Sequence, residues 1–184
     1  MKKTVLKFGV ISGLISSILM LITMPFMDRI GFDNGAIVGY TGMVLSFLLV
    51  FFGIRSYRDN VNNGAISFGK ALTVGLLIML ISCVFYVITW EIMFFKFLPD
   101  FWEKMTNHMM ERIRSSGASA AKIASEEERL RSFGEMYRNP LFNAAFTFLE
   151  PLPVGLVMTF ISALILRKKN SREIAGGETV TSSV

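Results

Sequence analysis

Asn143, Thr147 and Glu150 stand four and three residues apart in an otherwise apolar stretch, and Pro151 and Pro153 follow directly. That spacing puts an amide, a hydroxyl and a carboxyl on one face of a helix. Pro151 lacks the N–H that would bond the Thr147 carbonyl, and Pro153 lacks the partner of the Leu149 carbonyl. Freed carbonyl oxygens beside a carboxylate and a hydroxyl are what broken transmembrane helices offer to cations or protons near the bilayer midplane. A structural role uses the same atoms: a neutral Glu150 bonds a carbonyl of a neighbouring helix and fixes the bend. Either role needs shelter, because an acid at the centre of a membrane helix costs about 2.5–3.5 kcal/mol on insertion scales and usually faces protein or water.

The elements that must position this group are set by where charge is missing. Of 184 residues, 52% are apolar and 18% charged, and the charges cluster, unlike those of a soluble domain of this length. Four windows are nearly uncharged: residues 8–27, 36–54, 71–95 and 141–166. Each is long enough, at about 1.5 Å per residue, to cover a hydrocarbon core of ~30 Å. The expectation is an all-α integral membrane protein, a bundle of four transmembrane helices, with an outer amphipathic helical loop (96–140) between helices 3 and 4. Residues 1–169 form one membrane domain and 170–184, small and polar, a disordered cytoplasmic tail. A cleaved signal peptide is the competing reading of the first window. Its apolar run exceeds the usual h-region, and Met24-Pro25-Phe26 is no small-residue cleavage site, so a retained helix is expected.

One cysteine, Cys83, and one histidine, His108, exclude an intrachain disulfide and most imidazole-based catalysis. With no Walker pattern, His pair or nucleophile elbow, neither an enzyme nor a cofactor is expected, and no nucleic-acid partner. With both termini cytoplasmic, the inner segments carry ten basic residues against three acidic ones, and the outer segments nine against nine. The positive-inside bias favours that orientation.

Small residues recur on the helices: Gly9, Gly13 and Ser17; Gly35, Gly39, Gly42 and Ser46; Gly155, Thr159 and Ala163. Such stripes let backbones approach in lipid, where packing drives association. Arg55, Arg58 and Lys70 flank the turn between helices 2 and 3. They are expected to anchor topology, with lipid headgroup contacts as the sharper reading. Helix 3 carries a mildly polar stripe, Ser82, Tyr86 and Thr89, with Glu91 on another face, expected to reach the interface or pair with Lys96. In the loop, Leu98, Phe101, Trp102, Met105, Met109 and Ile113 form one apolar face. That helix stops near Gly117. A second begins at Ser119 or at Ser125, where Glu128 suggests a capping box and Glu127 precedes Arg131 by four. The pair covers the bundle's outer mouth or lies on the membrane. His108 is expected as a polar residue of this loop, not a metal ligand.

The order and spacing of Gly53-Ile54-Arg55-Ser56-Tyr57-Arg58-Asp59, Ile66-Ser67-Phe68-Gly69-Lys70-Ala71, Tyr137-Arg138-Asn139-Pro140, Glu150 to Gly155 and Ser162 to Arg167 resemble bacterial membrane proteins of domain-of-unknown-function family 4199. The resemblance implies a four-helix bacterial inner-membrane protein and brings no activity or catalytic residues with it. The expected function is a non-enzymatic interaction or assembly subunit of the cell envelope. Its partners would be the lipid bilayer and other membrane proteins or further copies of itself. The alternative is a small proton- or cation-coupled transporter or channel-like subunit built on Glu150.

Overall fold

The computed structural model describes residues 1–168, so Lys169 and the tail expected over 170–184 lie outside the described residues. Eight α-helices follow in order: α1 (Lys2–Thr23), α2 (Met27–Ile30), α3 (Phe32–Asn60), α4 (Phe68–Ile92), α5 (Phe101–Ser115), α6 (Ala120–Tyr137), α7 (Pro140–Leu149) and α8 (Leu152–Leu166). Four stretches are long and apolar enough to cross a membrane: Lys2–Phe26, Phe32–Asn60, Phe68–Phe97 and Pro140–Leu166. They cover the four uncharged windows, apart from Met27, and mostly outrun them. Helices continue past the hydrocarbon, which is why α1 starts at Lys2 and not at Phe8.

Local chemistry sets the ends. Pro25 sits in a tight turn, Met24–Phe26, that closes the first span as expected, and Gly31, at φ 79°, breaks the chain before α3. Ser67 caps α4 by accepting from the Lys70 amide at 3.4 Å. Asn139 caps α7, its Oδ1 accepting from the amides of Leu141 at 3.0 Å and Phe142 at 3.3 Å, with Pro140 in the first turn, where its missing N–H costs nothing.

Helices α3 and α4 touch each other, and α1 and α8 each pack against both. The end carrying Lys2, the 61–67 turn and Lys168 is called here the terminal end; the other is the loop end. The core is densest toward the terminal end, where Val50, Ile54, Val74 and Ile78 are fully buried. Glycines set the helix spacing. A Cβ on Gly13 would lie 2.6 Å from the Phe85 ring, and one on Gly155 2.5 Å from Met79. Thus the first small-residue stripe faces α4 and the last faces α3 and α4, as expected for helices held by close packing. Gly39 departs from this pattern, since a Cβ there would meet nothing within 4 Å.

At the loop end, α5 and α6 dock on an aromatic cluster centred on Met20, Trp90, Phe94 and Tyr137, with Phe101, Trp102, Phe133 and Phe142 around it. Of the two readings of this loop, covering the bundle's mouth is the one formed. Arg112 reaches Asp33 at 2.7 Å, and His108 lies with its ring 5.4 Å from that of Phe32, so α5 is also fastened to the start of α3. The cap of α6 is Ser119, not Ser125, which lies inside the helix. Arg131 turns to Glu128 at 2.9 Å, three residues away; the expected pairing with Glu127 does not form. Glu91 does not pair with Lys96 either: its Oε1 is buried without a hydrogen-bond partner, while Lys96 is exposed.

Candidate functional site

The fourth span is broken where the prolines require it. Helix α7 stops at Leu149, α8 starts at Leu152, and the first backbone bond of α8 runs from the Gly155 amide to the Pro151 carbonyl at 2.9 Å. Pro153 falls within the first turn of α8, where helix amides have no internal acceptor anyway. The Thr147 carbonyl, expected to be free, is not. The Glu150 amide bonds it at 3.3 Å, because the chain tightens by one residue once the proline cannot donate.

The three polar residues before the break divide into two groups. Asn143 and Thr147 are buried, and their hydrogen bonds close a ring with Tyr137. Trp90 Nε1 donates to the Tyr137 hydroxyl at 3.0 Å, and Thr147 Oγ1 donates to Asn143 Oδ1 at 3.2 Å. Since the Thr147 proton is spent, the 3.4 Å contact between the two hydroxyls has Tyr137 as donor. Asn143 Nδ2 donates back to the Tyr137 carbonyl at 3.1 Å. Burial pushes the Tyr137 phenol above its ordinary range, so the hydroxyl stays protonated and able to donate. This network joins α4, α6 and α7; it leaves no side-chain oxygen of Asn143 or Thr147 idle for a cation.

Glu150 belongs to the second group. Its Oε2 accepts from the Tyr86 hydroxyl of α4 at 3.0 Å, and the residue is exposed at the bundle surface. Two helices give it the same depth. Tyr86 is sixteen residues beyond Lys70 and Glu150 sixteen before Leu166, about 24 Å of helix in each case, short of the ~30 Å hydrocarbon thickness. Helix α8 packs on α3, whereas α7 makes at most slight contact with it, so the break leaves the loop half of α3 standing apart from the fourth span.

Behind Tyr86 lies a small cavity of about 10 Å³, bounded by Ser16, Ser46, Ser82, Cys83 and Pro151 among others. That is room for about one water molecule. Ser46 Oγ has no hydrogen-bond partner, and the hydroxyl of Ser12 lies 2.8 Å from the Ser46 carbonyl and 3.0 Å from Ser82 Oγ. The polar cluster ends there, since the Val50, Ile54, Val74 and Ile78 layer closes the bundle below it.

Of the three basic residues of the 53–70 segment, Arg55 and Arg58 share Asp59 and Lys70 has other partners. Arg58 binds Asp59 at 2.7 Å and reaches the Leu166 carbonyl at 3.4 Å, closing the end of α8. Lys70 donates to Asn62 at 3.3 Å and stands 5.9 Å from the Tyr57 ring centre. Arg55, 3.7 Å from Asp59, is more exposed than Arg58.

Among the described residues no group of three or more His, Cys, Asp or Glu side chains is placed to hold a metal ion. Sequence reasoning missed the role of Tyr86, Trp90 and Tyr137. Tyr86 was visible only as one member of the polar stripe of α4, and its partner is 64 residues away. No curated protein and no solved structure matches this chain. The family model described as "Protein of unknown function (DUF4199)" matches residues 7–168, nearly the whole described chain, and the protein belongs to that family.

Proposed function

We propose that this is a bacterial inner-membrane protein with both termini cytoplasmic, acting as a non-enzymatic interaction subunit of the envelope whose partner covers Glu150. The observation that carries the reading is the position of that acid, at hydrocarbon depth, on the outside of the bundle, with Tyr86 its one hydrogen-bond partner among the described residues. A carboxyl there is unfavourable against lipid, by less than the ~2.5–3.5 kcal/mol that insertion scales give at the helix centre, and a neighbouring helix presenting a donor offsets part of that cost. The orientation rests on the basic excess of the terminal-end segments. Non-enzymatic action is in keeping with a single histidine and a single cysteine.

A proton- or cation-coupled carrier has one feature in its favour, the serine-lined cavity behind Tyr86. It would also need a path through the buried aliphatic layer at the terminal half. Native electrophoresis of gently solubilised membranes separates the readings. Glu150→Leu is expected to release the chain from a defined larger complex while leaving its amount and helicity unchanged. An unchanged complex, or none in the wild type, together with pH-dependent flux in liposomes that Glu150→Gln abolishes, would favour the carrier.

A further inference from the structure

A second feature meets Glu150 only through Tyr86. Between the loop halves of α1 and α3 runs a groove of about 250 Å³, bounded by Leu19, Met20, Met24, Val38, Gly42 and Met43 among others, with Tyr86 at its floor. It exists because α3 carries Gly39 and Gly42 where side chains would otherwise fill the space, a Cβ on Gly39 meeting nothing within 4 Å, and because residues 36–41 of α3 are exposed. Every hydroxyl on its walls is already spent. Ser16 donates to the Gly13 carbonyl at 2.8 Å, Thr23 to that of Leu19 at 2.7 Å, Thr41 to that of Ile37 at 2.8 Å, and Tyr86 to Glu150 at 3.0 Å. With no hydroxyl proton left over and the rest of the lining apolar, the groove is poorly matched to water, and apolar cavities of such size take apolar guests.

Length and charge identify the guest. The groove follows α3 from Gly35 to Leu45, ten residues or about 15 Å, which is the hydrocarbon depth of one leaflet. Its end beyond Met24 and Gly35 is bridged by α2, the short helix that joins the first two spans, and α2 carries Arg29. Arg29 is exposed and, among the described residues, forms no ion pair, unlike Arg112 nearby on Asp33. A guanidinium on the short helix that follows the end of a one-leaflet apolar groove complements the phosphodiester of a lipid. We propose that the groove is a phospholipid site, with one acyl chain lying along Gly35, Gly39 and Gly42 and the lipid phosphate on Arg29. Close packing in the groove and the charge at its mouth distinguish this lipid from those merely lining the bundle, since burial of a chain gains little when the surroundings are already hydrocarbon.

The test uses the full chain reconstituted in vesicles containing phosphatidylglycerol with a diazirine on one acyl chain. Photolabelled peptides are compared between the groove walls and the exposed face around Leu156 and Ile165. Excess labelling on α1 residues 19–24 and α3 residues 38–43 is expected, falling several-fold to the background of the open face in Gly39→Leu, and markedly reduced in Arg29→Gln. Gly39→Leu is expected to fold, since a Cβ there meets no atom within 4 Å, and an unchanged thermal transition checks it. Labelling no stronger in the groove than on the open face, indifference to Gly39→Leu, or a Val38→Cys disulfide joining two copies in place of lipid labelling would overturn the proposal. Loss in Gly39→Leu with no change in Arg29→Gln would overturn the phosphate contact and with it the phospholipid assignment.

Discussion

At the scale of single residues, Glu150 and the Asn143–Thr147 pair look alike in the sequence and do different things. Asn143 is fully buried, with its amide and oxygen both used, so Asn143→Leu strands the Tyr137 carbonyl and the Thr147 hydroxyl. A loss of about 1–2 kcal/mol is expected, since bonds of this kind between membrane helices contribute modestly while orphaned buried groups cost more. Reversible unfolding in mixed micelles measures it. Tyr137 adds a pH signature. Its phenol, with a reference value of 10.0, is held higher by burial. Below pH 10 both folded and unfolded chains keep the proton and stability does not depend on this group; above it the unfolded chain loses the proton first, so stability falls as pH rises. The wild type is expected to lose stability more steeply above pH 10 than Tyr137→Phe, as followed by near-ultraviolet circular dichroism against pH.

Among the elements, the break at Pro151 and the small-residue stripes determine where the helices run. Replacing both Pro151 and Pro153 by Ala restores donors for the Thr147 and Leu149 carbonyls and releases the Glu150 amide, so α7 and α8 are expected to straighten into one helix and carry Glu150 away from Tyr86. Spin labels at Leu141 and Leu164 would report a longer distance in the Pro151→Ala, Pro153→Ala double variant. Stripes differ in what lies opposite them. Gly13→Ala drives a methyl into the Phe85 ring and is expected to destabilise by about 1–3 kcal/mol, as overpacked sites do, whereas Gly39→Ala is expected to change little. Paired thermal transitions in the same detergent test the contrast. The number of spans was legible because a stretch that must fill the hydrocarbon cannot carry charge. Helix ends were less so, because a helix that has crossed the hydrocarbon is free to continue among lipid headgroups, as α1 does at Lys2 and α3 at Asn60. Ser119 was recognisable as a cap only alongside Ser125, since both precede helix-forming residues; Ser119 accepts from the Lys122 amide and starts the helix six residues earlier.

For the whole molecule, two polar sets and one groove are produced by the same asymmetry. The terminal half is closed around Val50, Ile54, Val74 and Ile78, while the loop half opens because α7 departs from α3 and α3 carries glycine where it would otherwise fill the gap. None of this could be read from the windows of the sequence. Tyr86 meets Glu150 across 64 residues, and Met24 and Gly35 share a groove only because a short helix turns the chain between them. The claim on which the account turns is that the acid on the outside of the bundle is met by protein in the native membrane. A photoreactive phenylalanine derivative at Leu149, which is exposed beside Glu150, probes it in living cells. The account predicts one discrete crosslinked protein species, absent when Glu150→Leu is combined with the probe and absent with the probe at Ile165. Equal lipid-only labelling at Leu149 and Ile165, with no protein adduct at either, would contradict it.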